Sequence, residues 1–353
     1  MKNTVKINSA ELINADCLHF IQTLPDDYID LIVTDPPYFK VKPNDWDNQW
    51  KGDGDYLKWL DWCLAQYWRV LKPAGSLYLF CGHRLASDIE IMMRERFNVL
   101  NHIIWAKPPG RWNGCNKESL RAYFPATERI LFAEHYQGPY KPKNDGYTAK
   151  GRELKQHVMV PLISYFRDAR DALGITAKQI ADATGKKNMT SHWFGTSQWQ
   201  LPNKADYQKL QALFLRVAEE KQYTGKLDHP QHQLVEEYSV LSRRYADLLG
   251  EYKSLRRYFC VTAQVPYTDV WTHKPVQFYP GKHPCEKPAD MLQQIINASS
   301  QPGDLVADFF MGSGSTIKAA LALGRRAVGV ELESERFAQT VNDIRGIFGG
   351  GDS

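Results

Sequence analysis

The chain has 353 residues, is 43% hydrophobic and carries a formal net charge of +4. That is enough for one large α/β body with an insertion, or for two domains, each with its own core. No apolar run reaches membrane-spanning length, residues 1–6 lack the apolar segment of a signal peptide, and the six cysteines include no Cys-x-x-Cys pair. A membrane protein, a zinc site and a disulfide framework are therefore not expected, and a reduced cytoplasmic setting is.

Strand and helix signals alternate through the first third. Glu11-Leu12-Ile13-Asn14 reads as a short strand and residues 17–24 as a helix stopped by Pro25. Asp30-Leu31-Ile32-Val33-Thr34 is a buried strand running into Asp35-Pro36-Pro37-Tyr38. Residues 39–54 lack periodicity, and a loop of that length is usually functional or disordered. Leu57, Leu60, Leu64, Trp68 and Leu71 share one face of a helix over 55–71, stopped by Lys72-Pro73-Ala74-Gly75. A strand at 76–81, a helix at 87–97 and strands at 103–105 and 130–132 follow.

The last 70 residues resume the alternation. Lys287-Pro288 opens a helix to 299, and 305–308 is a buried strand. A glycine loop at 312–314 leads into a helix over 315–323, then a strand at 327–331 and a helix at 334–344. The pattern predicts an α/β fold: a mostly parallel sheet with helices on both faces.

The middle breaks this pattern and reads as an insertion over 139–275. Residues 141–260 hold 20 Lys and Arg against 13 Asp and Glu, a net of +7 that leaves −3 for the rest. Such a basic segment suits a polyanion. Within it, a helix over 175–184, the turn residue Gly185 and a short helix near 188–194 resemble a repressor-type helix-turn-helix, continued by residues 201–215; a plain helical hairpin is the alternative. Further on, Tyr238, Leu241, Tyr245, Leu248, Tyr252, Leu255 and Phe259 form a heptad seam. Packing within the chain, pairing as a homodimer through 238–259, and laying its arginines along DNA are three uses open to it.

Two segments carry chemistry. In Asp35-Pro36-Pro37-Tyr38 the prolines fix φ and remove two backbone donors, leaving a stiff cluster of a carboxylate, free carbonyls and an aromatic face. Such a cluster can grip a planar ring and accept hydrogen bonds from its exocyclic amino group. In Asp308-Phe309-Phe310-Met311-Gly312-Ser313-Gly314-Ser315 the glycines admit a ligand close to the backbone at a helix start. Glu331 ends the next strand, 17 residues after Gly314, close to the interval at which an acid meets the ribose of an adenosine cofactor. Ile317 interrupts the dinucleotide glycine pattern and Lys318 does not form a nucleotide-triphosphate loop, so adenosine without pyrophosphate fits better.

In this order, Asp-Pro-Pro-Tyr at 35–38, Lys287-Pro288, Phe310-x-Gly312-x-Gly314 and Glu331 resemble the β-group of amino DNA methyltransferases. Ala15-Asp16-Cys17, residues 69–76, Ile104-Trp105-Ala106-Lys107 and Glu128-Arg129-Ile130-Leu131 also resemble segments of that family. The resemblance implies a Rossmann-like, circularly permuted S-adenosylmethionine (SAM)-dependent fold. Residues 1–138 would be the catalytic half, 139–275 a target-recognition insertion and 276–353 the SAM half. It also implies site-specific transfer of a methyl group from SAM to N6 of a flipped adenine in double-stranded DNA, in a bacterial cytoplasm as a bacterial, phage or mobile-element enzyme. Asp35, Pro36, Pro37 and Tyr38 would be catalytic. Asp16, Cys17, Lys287, Asp308, Phe310, Gly312, Ser313, Gly314, Thr316 and Glu331 would hold the cofactor, with Lys287 on its carboxylate. Tyr38 would stack on the flipped ring with Phe39 as a helper, the 39–54 loop, with Trp46 and Trp50, would close over the base, and Lys107, Arg111, Lys117, Arg121, Lys186 and Lys187 would meet DNA. Phe309 departs from the usual Pro of the family, and Cys285-Glu286 from the usual Thr-Gln. The rival readings are cytosine-N4 methylation, RNA or protein-glutamine methylation, which the motif order opposes, and a non-catalytic DNA-binding regulator.

Overall fold

The computed structural model describes residues 3–39, 49–107, 118, 121–123, 125–135, 147–196, 199–222, 234–255, 257–262, 268–283 and 285–349. In chain order the elements are β1 (Asn3–Ile7), β2 (Ala10–Asn14), α1 (Cys17–Ile21), β3 (Ile29–Thr34), α2 (Asp53–Val70), β4 (Leu71–Cys81), α3 (Ala86–Arg94), β5 (Asn98–Ala106), β6 (Thr127–Glu134), α4 (Tyr147–Leu173), α5 (Ala177–Thr184), α6 (Thr190–Phe194), α7 (Lys204–Gln222), α8 (Tyr238–Leu255), β7 (Val270–Trp271), α9 (Ala289–Ser299), β8 (Leu305–Asp308), α10 (Ser315–Ala322), β9 (Arg326–Glu331) and α11 (Ser334–Phe348). They form two compact units, Met1–Lys141 with Arg257–Ser353, and Pro142–Arg256.

The larger unit is one sheet in the order β1-β2-β9-β8-β3-β4-β6-β5-β7. The pairings β2–β9, β9–β8, β8–β3, β3–β4 and β5–β7 are parallel, while β1–β2, β4–β6 and β6–β5 are antiparallel. Side chains alternate across it, as the two-residue period of a strand requires. Ile32, Leu77 and Leu79 face α1, α2 and α3, where Leu60, Leu64, Tyr67 and Met93 are buried. Leu31, Val33, Tyr78 and Phe80 face the opposite layer, with Met291, Ile295, Ile317 and Val341 of α9, α10 and α11. A parallel sheet covered on both faces needs nearly continuous apolar strands, which is what 30–34 and 305–308 supply.

From β8 the chain crosses through α10 to β9 on one side, and from β3 it crosses through α2 to β4 on the other. The strand order therefore reverses between β8 and β3, and the crevice beyond their carboxyl ends is the natural ligand site of such a sheet. Asp30 ties this centre together. One oxygen pairs with Lys72 at 2.7 Å, and the other accepts from the Leu305 amide at 2.9 Å.

Sequence and structure differ locally. The helix expected over 17–24 ends at Ile21. Lys72-Pro73-Ala74-Gly75 does not separate helix from strand by a turn: β4 pairs with Ile29 already at Leu71, then again from Ser76, and the four residues between bulge out. The edge strands β1 and β7 have no clear sequence signal, being short and paired on one side. The smaller compact unit ends at Arg256, and the residues from Arg257 onward group with the larger one. Arg257 pairs with Glu134 at 2.7 Å, Phe259 stacks on Phe132 at 5.5 Å, and Trp271 joins the sheet beside Trp105.

The smaller unit is helical. Thr176 and Gln179 form a reciprocal capping box that starts α5, and Gly185, at φ +78°, ends it in the left-handed region. The second helix of the expected helix-turn-helix is the five-residue α6, whose Trp193 and Phe194 are buried with Phe166, Trp199, Tyr207 and Phe214. The heptad seam is used inside this unit: Leu241 is buried, and Tyr238, Tyr245, Leu248 and Tyr252 pack on the same core. Its last member, Phe259, lies beyond the helix, in the other unit. Among the described residues no helix is long and apolar enough to cross a membrane.

Candidate active site

Because β3 and β8 are hydrogen-bonded neighbours through Leu31–Val306 and Ile32–Ala307, the loops that follow them leave the sheet side by side. Thr34 donates to Asp308 at 3.3 Å across the strand ends, joining residues 274 positions apart. A cavity of about 220 Å³ opens there, lined by the 35–38 loop, the 308–313 loop, Asp16, Lys287 and Glu331.

On the glycine side, Gly312 and Gly314 have φ of +48° and +71°. A Cβ on Gly314 would stand 2.7 Å from the Thr340 methyl, so both conformation and space demand glycine. The Glu331 carboxylate is fixed by two backbone amides, Gly312 at 3.0 Å and Glu333 at 2.9 Å. The Ala15 amide donates to the Glu331 carbonyl at 3.1 Å, which brings Asp16 beside it. Asp16 caps α1 through the His19 amide, and Cys17 is buried behind it. The Asp308 carboxyl accepts from Thr34 and from the Phe310 amide, and burial pushes its pKa up to about 7. Burial also raises Glu331. Ser313 and Thr316 are buried at the start of α10, and Phe310 meets Trp59 at 5.7 Å. The open backbone, the fixed acid at Glu331 and the aromatic wall fit an adenosine-bearing cofactor with no pyrophosphate.

On the other side, the two oxygens of Asp35 are both engaged. Tyr38 donates its hydroxyl to Oδ1 at 2.7 Å, and the Lys287 ammonium lies 2.5 Å from Oδ2. Lys287 also lies 3.4 Å from Glu128 Oε2, and Lys107 pairs with Glu128 Oε1. Burial raises the Asp35 carboxyl above its ordinary value in spite of Lys287. Burial also works against the Glu128 charge, but Lys287 and Lys107 together hold its pKa below the usual range. The Tyr38 phenol is raised by burial and by Asp35, so it keeps its proton and remains a donor. Lys287 is raised against the effect of burial by its two carboxylates and stays charged.

Several expected roles change in this setting. Lys287, expected on a cofactor carboxylate, pairs with Asp35 and Glu128. Lys107 is half-buried, paired with Glu128 and 4.8 Å over the Trp105 ring, which engages its ammonium within the protein where a phosphate contact was expected. Phe39 is 4% exposed, stacked on Tyr56 at 6.0 Å and edge-on to Trp50 at 6.2 Å, which makes Phe39 and Trp50 core residues and not surfaces for a base or DNA. Lys186 pairs with Asp206 at 2.5 Å, and Lys186, Lys187 and Arg121 are all exposed. Trp46, Arg111 and Lys117 lie outside the described residues. Glu128 escaped notice as a site residue; its signal was a carboxylate at the start of the apolar run 130–133, opposite Trp105.

Fold and cavity define an α/β enzyme working in the crevice at its sheet's switch point, with a glycine loop facing an acid-proline-proline-tyrosine loop. A family model described as DNA methylase, of the N6/N4 methyltransferase type, matches residues 29–342. The chain belongs to that family of SAM-dependent DNA methyltransferases. The type II methyltransferase M2.DpnII of Streptococcus pneumoniae is 47% identical over 346 residues, covering 93% of this chain and 87% of that one. The DNA adenine methyltransferase YhdJ of Escherichia coli (strain K12) is 25% identical over 325 residues, 92% of this chain and 79% of its own. Among solved structures, the cytosine-N4-specific PvuII DNA methyltransferase aligns over 98% of this chain and 95% of its own with a TM-score of 0.51 at 14% identity, a likeness of fold.

Proposed function

We propose that the chain methylates the exocyclic N6 of adenine at a specific sequence in double-stranded DNA. The observation that carries this reading is that Asp35 and the glycine loop face one cavity, although they lie in opposite halves of the sequence. S-adenosylmethionine, when bound, supplies an electrophilic methyl group on a sulfonium sulfur. Glu331 and Asp16 would hold its ribose and adenine, and the backbone at Phe310, Gly312 and Gly314 would hold its amino-acid end, with Ser313, Thr316 and Asp308 supporting that loop. Cys17 backs the adenine contact from α1.

The target base leaves the duplex, because its amino group is otherwise stacked and paired; extrusion costs a few kcal/mol. Tyr38 stacks on the extruded ring. The Asp35 carboxylate and the Pro36 carbonyl accept the two amino hydrogens, which turns the nitrogen lone pair toward the methyl group, and Pro37 keeps the loop stiff. The rate gain comes from positioning and fixed dipoles, with no covalent enzyme intermediate. Methylation makes the nitrogen acidic, and its proton departs through Asp35. An N6 target is supported by Asp at the first motif position and by the adenine specificity of the relative YhdJ. In this reading the unit Pro142–Arg256, with its basic surface and exposed Lys187 after Gly185, selects the DNA sequence.

The test is methylation of duplex DNA with tritiated SAM, followed by nucleoside separation. N6-methyladenine in the wild type and none with Asp35→Ala is expected. Label only in 4-methylcytosine would replace the adenine assignment, and equal label in the variant would remove the mechanism.

A further inference from the structure

Both partners of the Asp35 carboxylate have the same second acceptor. Lys287 Nζ is 2.5 Å from Asp35 and 3.4 Å from Glu128 Oε2. The Tyr38 hydroxyl is 2.7 Å from Asp35 and 3.5 Å from that same Glu128 oxygen. Each Asp35 oxygen already holds one donor, so a target amino hydrogen reaches the carboxylate in competition with Tyr38 and Lys287. A buried donor stripped of its acceptor costs about 1–3 kcal/mol, and a charged one more. Glu128 removes that penalty, because each donor has only a short way to travel to it. Lys107 holds the other Glu128 oxygen and packs on Trp105, which keeps Oε2 turned toward the site.

We propose that Glu128 is a positioning residue that takes over Lys287 and Tyr38 when the target amino group occupies Asp35. Glu128 touches neither reacting atom; it acts through the two donors it receives. The idea rests on the methyl-transfer reading above. The groups facing Asp35 are Tyr38 from its own loop, Lys287 from the segment before α9, Glu128 from β6, Cys81 from β4 and Asp308 from β8. Of these, Glu128 is the negative charge whose removal leaves Asp35 as the one carboxylate on Lys287, beside the Cys285 carbonyl at 3.5 Å.

The experiment compares steady-state DNA methylation and SAM binding for wild type, Glu128→Gln, Glu128→Asp and Asp35→Asn. Glu128→Gln is expected to lower kcat at least about tenfold, with KM for DNA and SAM affinity within about twofold of wild type. Its acid limb in kcat/KM moves to lower pH, because Asp35 loses a negative neighbour and keeps its ammonium. Glu128→Asp, which retains the charge, recovers part of kcat. A wild-type kcat in Glu128→Gln, or a loss of kcat with an unmoved acid limb, overturns the proposal. Asp35→Asn separates the two ideas: wild-type methylation by that variant removes the Asp35 carboxylate from the proposed mechanism, whereas an inactive Asp35→Asn beside a normal Glu128→Gln sinks only the handover.

Discussion

Tyr67 lies flat against Phe309, with ring centroids 5.2 Å and planes 15° apart. Both rings are buried beneath the glycine loop. In the family this position is usually Pro, whose ring stiffens the loop from within; here packing against α2 does so from outside. Phe309→Ala is expected to cost about 3–5 kcal/mol of stability, in the range for buried aromatic truncations. SAM affinity should fall as well. Urea denaturation and cofactor titration check the two effects separately, and an undisturbed variant would mean that the stack does not hold the loop.

Gly314→Ala meets two obstacles, a φ of +71° and the Thr340 methyl at 2.7 Å. Left-handed backbone alone costs an L-residue about 1–2 kcal/mol. SAM binding is expected to weaken by at least about tenfold, equivalent to 1.4 kcal/mol. Thr340→Ser removes the methyl and can keep the hydroxyl bond to the Gly312 carbonyl, 2.6 Å long. Adding it to Gly314→Ala should recover part of the affinity by calorimetry; no recovery would assign the loss to φ and to Ile344, whose Cδ1 stands 3.1 Å from the added Cβ.

Asp308 makes stability depend on pH. Burial holds its proton to about pH 7 in the folded chain, against 3.8 for the free carboxyl. Between those values the native state binds a proton that the unfolded state has released, so this group's contribution is full below pH 4 and is lost as pH rises through 7. Asp308→Asn cannot release that proton. Its stability relative to wild type should therefore rise between pH 5 and 7, by up to about 1.4 kcal/mol per pH unit. Urea curves at several pH values measure it, and a constant difference would show that Asp308 is ionised throughout.

The Arg257–Glu134 pair is buried on both sides, with side chains 5% and 0% exposed. Asn98 adds a hydrogen bond to Glu134 at 2.6 Å. Glu134→Ala leaves the buried Arg257 guanidinium without this carboxylate and is expected to cost about 3–5 kcal/mol. Replacing both by apolar residues, Glu134→Leu with Arg257→Met, should recover most of it. Thermal denaturation of the single and double variants decides, and a mild single variant would show that water reaches the arginine.

Some of this site was legible in the sequence because its cause is local. Two prolines stiffen 35–38 wherever that segment lies, and Gly312 and Gly314 are required by φ and by close approach. The order of motifs then pointed to the family. Other residues were misassigned for want of direction. Phe39 and Lys107 are an aromatic and a cation beside the motifs, and nothing local says that one turns into the core and the other onto Glu128. Lys287 is placed in the site by its motif, but its pairing with Asp35, 252 positions away, has no local signal.

The sequence by itself determined the elements and the class of fold, since apolar periods of two and of 3.6 residues are properties of short windows, and turn residues act on their own backbone. Only the tertiary structure decided that β3 and β8 lie together, that Asp35 shares Lys287 with Glu128, and that the heptad seam is covered from within its own unit. Pairing between strands and between buried charges depends on which distant surfaces meet once water is excluded, and a side chain's neighbours, not its type, then set its proton affinity and its task.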